Sequence, residues 1–213
     1  MRKLRTIEMN RLSVEEFKEA DKLPLVVVLD DVRSMYNIGS VFRTADAFRV
    51  KAIYLCGITA TPPHPEIHKT ALGGEDSVAW RYFPSALEAV EELQRSGHYV
   101  FAVEQCEGST KLQELFGGEK YRGERREESG ERDVLGTGEQ EIGVGANYAV
   151  VLGNEVKGVH QEVVDACDDC LEIPQFGTKH SMNVSVTAGI VMWEFFKKLA
   201  SPILQRYMPP CAE

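Results

Sequence analysis

The stretch IPQFGTKHSMNVSVTAGI, residues 173–190, decides how the rest of the chain is read. Ile173 closes a short apolar run that starts at Cys170, and Pro174 stops it. Proline removes a ladder donor and restricts the residue before it. Gly177 permits a sharp turn. Ser181 and Asn183, both good N-cap types, then precede a helix. In that helix Val184, Ala188, Val191, Phe195 and Leu199 recur at spacings of three and four, which makes one face apolar. A strand, a tight loop and a helix N-terminus in succession expose several backbone N–H groups together, a geometry suited to a polar small molecule or an anion. The same residue types also describe an ordinary strand–loop–helix unit of an α/β domain.

Working outward, YAVVL at 148–152 reads as a strand, and Gly153-Asn154-Glu155 turns off its end. Lys157, Gly158 and Val159 lead into a short helix ending near Cys167. Near the N-terminus LVVVL at 25–29 is a continuous β-branched and apolar run, as expected of a strand buried on both faces. Asp30 and Asp31 close it. After Tyr36, residues Ile38, Val41, Ala45 and Phe48 share one helical face, while Arg43 falls on nearly the opposite face. Asn37 stands where an N-cap is expected. Further strands are expected at 52–55 and 99–103, with a capping-box helix from Ser85 between them. Glu104 opens at the same sheet edge as the loops already named. The order is α/β: a mostly parallel sheet flanked by helices, with ligands expected at the C-terminal ends of the strands.

The division of the chain follows from composition. Residues 1–24 form an N-terminal extension with a capping box, Ser13-Val-Glu-Glu16, and residues 25–200 form the main domain. Residues 107–146 read as a flexible charged insertion, glycine-rich and poor in large apolar side chains, and 201–213 as a tail. The stretch TPPHPEIHKTALGGEDSVAW, 61–80, reads as a loop. His64 and His68 within it are separated by Pro65, which argues against one helix face holding both, and no metal is expected.

Composition sets bounds on function. Hydrophobic content of 43% with 27% charged residues fits an ordinary globular protein, and no apolar run approaches the ~20 residues of a membrane span. The basic N-terminus lacks the apolar core of a secretory signal. The 5 scattered cysteines fit reduced thiols in a cytoplasmic protein better than a disulfide framework, and Cys167-x-x-Cys170 lacks the four ligands of structural zinc. A net charge of −9 does not by itself point to nucleic acid, so any phosphate-binding surface must be local.

Three stretches, LDDVRSMYNIGSVFRTADAF, VVLGNEVKGV and the opening one, resemble in order and spacing the three motifs of the SpoU (TrmH) family of RNA ribose 2′-O-methyltransferases, in the SPOUT superfamily. The resemblance covers roughly residues 25–199. It implies a C-terminal deep trefoil knot and a homodimer. It also implies S-adenosylmethionine as methyl donor, with Leu152, Gly153, Ile173, Ser181, Met182 and Glu104 holding it. Leucine is usual in the family where Met182 stands, an exchange close in volume. Arg43, Asn37, Glu155, Ser181 and Asn183 match the family's catalytic polar residues. A guanidinium is a poor base. The resemblance therefore places Arg43 at the ribose hydroxyl and phosphate as a stabilising cation, with Glu155 orienting Arg43 or Asn37. The substrate implied is RNA. The absence of a long N-terminal extension like that of some ribosomal-RNA members leans towards transfer RNA.

Two other classes compete. A binding module without catalysis is expected to have lost Arg43, Glu155 or Asn183, and this chain has all three. A nucleotide-dependent oxidoreductase is expected to show G-x-G-x-x-G after its first strand, which is missing.

Overall fold

The computed structural model describes residues 1–9, 11–115 and 146–200. In chain order the elements are α1 (Val14–Glu19), β1 (Leu23–Asp30), α2 (Met35–Ala47), β2 (Val50–Cys56), α3 (Pro65–Ala71), α4 (Gly74–Ser77) and β3 (Trp80–Phe83). There follow α5 (Ala86–Arg95), β4 (His98–Val103), β5 (Thr110–Lys111), β6 (Asn147–Leu152), α6 (Gln161–Ala166), β7 (Asp169–Glu172) and α7 (Val184–Leu199). The strands form one seven-stranded sheet in the order β3-β2-β1-β6-β4-β7-β5. Every pairing between these strands is parallel. The strand ends carrying Asp30, Leu152, Val103 and Glu172 therefore open at the same edge.

The continuous apolar strands are buried on both faces, as their composition predicts. Leu25, Val27 and Leu29 of β1 face one layer with Tyr148, Val150, Phe42 and Phe195. Val26 and Val28 face the other layer with Val90, Leu93, Ala149 and Val151. Helices α2 and α7 lie in the first layer and α5 and α6 in the second. The chain runs outward through β1, β2 and β3, then crosses to β4 on the far side of β1, with β6 filling the gap. Strand order reverses here, and the ends of β1, β6 and β4 frame the crevice where ligands of open α/β sheets bind.

Several expectations need correction. The segment 61–80 is not loop: it holds α3, α4 and the first residue of β3. The helices are too short to show periodicity, and β3 and β5 are edge strands too brief to read as apolar runs. Residues 107–115 are also ordered. Here β5 pairs with β7, Leu112 and Leu115 are buried, and Ser109 and Lys111 both reach the Glu172 carboxylate. The remainder of the expected insertion, from 116 to 145, and the tail 201–213 lie outside the described residues. The capping box at Ser13 forms as expected, with both reciprocal hydrogen bonds present.

One glycine fixes how α3 sits. A Cβ on Gly39 would run into the Ile67 carbonyl oxygen and Thr70 Oγ1, so α2 and α3 touch backbone to backbone there. Gly39→Ala is expected to lower the unfolding free energy by about 1–3 kcal/mol through overpacking. A shift of the urea midpoint at unchanged slope checks it.

Candidate functional site

The turn after β6 is shaped by two side chains. Asn154 Oδ1 accepts from the backbone N–H groups of Val156 (2.9 Å) and Lys157 (3.2 Å), while its Nδ2 donates to the Asp31 carbonyl at 2.8 Å. Glu104, at the end of β4, accepts from Val159 N–H at 3.0 Å and Gln105 N–H at 3.2 Å. Gly153 packs so tightly on Gly158 and Val159 that a Cβ would overlap their backbone atoms. The result is a rigid turn beside a cavity of about 280 Å3. Leu152, Gly153, Glu104, Ile173, Ser181 and Met182 all line this cavity.

The polar residues assemble into one network that joins the three motif stretches. The Glu155 carboxylate accepts from three groups of the first motif: the backbone N–H of Arg33 (3.0 Å), the backbone N–H of Ser34 (3.0 Å) and Asn37 Nδ2 (3.1 Å). A carboxylate can only accept, which fixes Nδ2 of Asn37 towards it and Oδ1 away. That Oδ1 accepts from Asn183 Nδ2 at 3.0 Å and from Ser185 Oγ at 3.4 Å. Asn183 Oδ1 in turn caps α7 by accepting from Ser185 N–H (2.9 Å) and Val186 N–H (3.3 Å). Burial alone would raise the Glu155 pKa. The N–H groups of Arg33 and Ser34 and the Asn37 amide outweigh it and hold the group below the ordinary carboxylate range.

One assignment changes. Ser34, not Asn37, is the N-cap of α2, accepting from Asn37 N–H at 3.3 Å. Asn37 is one turn inside the helix, where its side chain is drawn to Glu155. Of the two residues that Glu155 was expected to orient, Asn37 is the one it bonds. Arg43 is exposed on α2, does not line the cavity, and has no ion-pair partner among the described residues. Ser181 lines the cavity without joining the network. The sequence reading missed Asn154 and Ser185. An Asn just past the strand end, four residues before a glycine, is a legible turn signal for Asn154, whereas Ser185 has no local signature. Ser34→Ala is expected to cost about 1 kcal/mol as a lost cap, and urea unfolding measures it.

The histidines and thiols find local partners. His64 caps α3 by accepting from Glu66 N–H at 3.1 Å, and His68 pairs with Glu75 at 2.6 Å. Among the described residues one group, Asp30, Asp31 and His160, brings metal-ligand atom types together. His160 Nδ1 lies 2.9 Å from Asp30, which also accepts the His160 backbone N–H at 3.1 Å, so this pairing ties the turn to β1. Within Cys-x-x-Cys, Cys170 meets Cys106 at 2.7 Å instead of Cys167, whose thiol burial pushes up to about 12.

With this geometry the comparisons with known proteins acquire meaning. The chain belongs to the SpoU rRNA Methylase family, whose model matches residues 24–193. It is 27% identical over 186 residues to the 23S rRNA (guanosine-2'-O-)-methyltransferase RlmB of Neisseria meningitidis serogroup B, covering 87% of this chain. It spans 63% of the length of that relative and of others it matches. In fold it is similar to the A. aeolicus TrmH/SpoU tRNA modifying enzyme, with a TM-score of 0.68 at 21% identity, covering 94% of this chain and 88% of that one. The AdoMet-bound rRNA methyltransferase of Sinorhizobium meliloti gives 0.60 at 24% identity, covering 83% of this chain and 60% of that one.

Proposed function

We propose that the chain transfers a methyl group from S-adenosylmethionine to a ribose 2′-hydroxyl of a structured RNA. The observation that carries this reading is the Glu155–Asn37–Asn183 network, which locks three motif loops together beside the cavity. Leu152, Ile173 and Met182 offer apolar surface for an adenine ring, and Gly153, Ser181 and Glu104 offer polar contacts for the rest of the donor. When bound, the donor supplies an electrophilic methyl on a sulfonium. The network's part is positioning: it holds the loops at fixed separation, so that hydroxyl and methyl meet in line. Arg43 supplies the cation for the adjacent phosphate and for charge developing on the ribose oxygen.

Arg43 lies outside the cavity of its own chain, so the proposal includes a homodimer that brings it to the other copy's site. The outward side of α7 supports this, with Val186 and Trp193 about half exposed and Trp193 stacked on Phe196 and tilted against Phe48. Residues 25–200 form the catalytic unit of this proposal, with 173–190 threaded as a trefoil knot and the cytoplasm as its place of action. Among the described residues no helix is long and apolar enough to cross a membrane. Transfer RNA is the first substrate to test, because the similar A. aeolicus protein is a tRNA modifying enzyme. Calorimetry with S-adenosylmethionine and its demethylated product, at concentrations well above micromolar, is expected to show binding without added metal. No heat under those conditions would contradict the donor site.

A further inference from the structure

The net charge of −9 leaves open where an RNA could dock. Ion pairs answer part of this. Arg2 and Arg5 pair with Glu8, Lys69 with Glu66, Arg81 with Glu92, Lys111 with Glu172 and Lys197 with Glu194. No described carboxylate pairs with Arg33, Lys157 or Lys179, which belong to the three loops around the donor cavity. Glu104 and Glu155, the carboxylates lining that cavity, are turned to backbone N–H groups. The rim thus carries both signs: its carboxylates are engaged by backbone N–H groups, while its three cations have no carboxylate partner among the described residues. Within this rim stands Phe176, 96% exposed, in the loop whose Gln175 and His180 line the cavity. The loop is tied down where Gln105 Nε2 donates to the His180 carbonyl at 3.0 Å. Val156, 81% exposed, belongs to the neighbouring turn.

We propose that Phe176 is a stacking platform for an unpaired base next to the target ribose, with Lys179, Lys157 and Arg33 neutralising the flanking phosphates. The inference rests on the methyltransferase reading above and adds a specificity-determining surface to it. An aromatic face among unpaired cations is the chemistry that recognises unstacked bases on a phosphate backbone. The cost of leaving a whole Phe side chain in water is offset only when something covers it, and the cations around it select a polyanion.

The test uses the full chain with two probes, a total tRNA pool and fragmented ribosomal RNA. Methyl-transfer kinetics are measured on whichever pool the wild type modifies. Phe176→Ala is expected to raise KM about tenfold, within the range of one stacked base, with kcat and donor affinity unchanged. Phe176→Trp restores the wild-type KM and Phe176→Leu does not. Lys179→Ala reduces the slope of log binding constant against log salt by about 1. An unchanged KM in Phe176→Ala overturns the inference, as does full rescue by leucine. A shift of Phe176→Ala to monomer in sedimentation also overturns it, assigning the residue to a second copy. If the wild type methylates neither pool, the methyltransferase reading fails and this inference falls with it. If the wild type is active and Phe176→Ala is equally so, only the inference fails.

Discussion

Arg43→Ala is expected to abolish methyl transfer, by a factor of about 10²–10³ or more, while folding and donor binding stay as in the wild type. The separation follows from position. Arg43 lies on the exposed side of α2 and does not line the cavity beside Gly153, so neither packing nor the shape of that cavity depends on its head group. The factor is that of losing one charged or polar group aimed at developing oxyanion charge, about 3–4 kcal/mol. If the site is shared across a dimer, mixing Arg43→Ala with Glu155→Gln restores activity, because one of the two sites in the mixed dimer keeps both groups. Two inactive proteins that stay inactive when exchanged into mixed dimers would place Arg43 and Glu155 in one chain's site. An Arg43→Ala protein working at near wild-type rate would remove the residue from the chemistry.

Glu155→Ala is expected to cost both activity and stability. It strips the acceptor from two backbone N–H groups and from the Asn37 amide at once. Leaving such donors unpaired costs about 1–3 kcal/mol for a buried group, and Glu155 is only half-buried, so a loss of about 2 kcal/mol is expected. Activity falls further, because Asn37 is then free to rotate and the link to Asn183 loosens. The pH dependence has a defined sign. Glu155 sits below its ordinary value in the folded chain, so its stabilisation is complete above the unfolded carboxylate pKa of about 4.3. It is lost as pH falls through the lower folded value. The difference in urea midpoint between wild type and Glu155→Gln should therefore be full at pH 7 and shrink towards pH 3. A difference that grows on acidification would contradict the assigned hydrogen bonds.

What the sequence made legible depended on range. The runs at 25–29, 99–103 and 148–152 announced buried parallel strands because every residue in them is apolar, and the periodicity of α7 announced its buried face. The resemblance named Glu104, Leu152, Gly153, Ile173, Ser181 and Met182 together, and in the structure these six line one cavity; that this cavity takes the donor is the proposal that calorimetry tests. Long-range polar contacts were not legible. Nothing near Asn37 reveals that its amide partner stands 118 residues away, and this is why it reads as a cap while Ser34 performs that task. The short elements α3, α4, β3 and β5 carry too few residues for a period to emerge. Their placement comes from contacts such as that of Gly39 with Ile67 and Thr70.

The most direct test of the proposed reaction is mass spectrometry of nucleosides from digested RNA. Total RNA is incubated with the protein and S-adenosylmethionine carrying an isotopically labelled methyl group. Label on a 2′-O-methyl nucleoside, present with the wild type and absent with Arg43→Ala, is the expected result. Label confined to a base, or no label in any RNA despite measurable donor binding, would contradict ribose methylation by this chain.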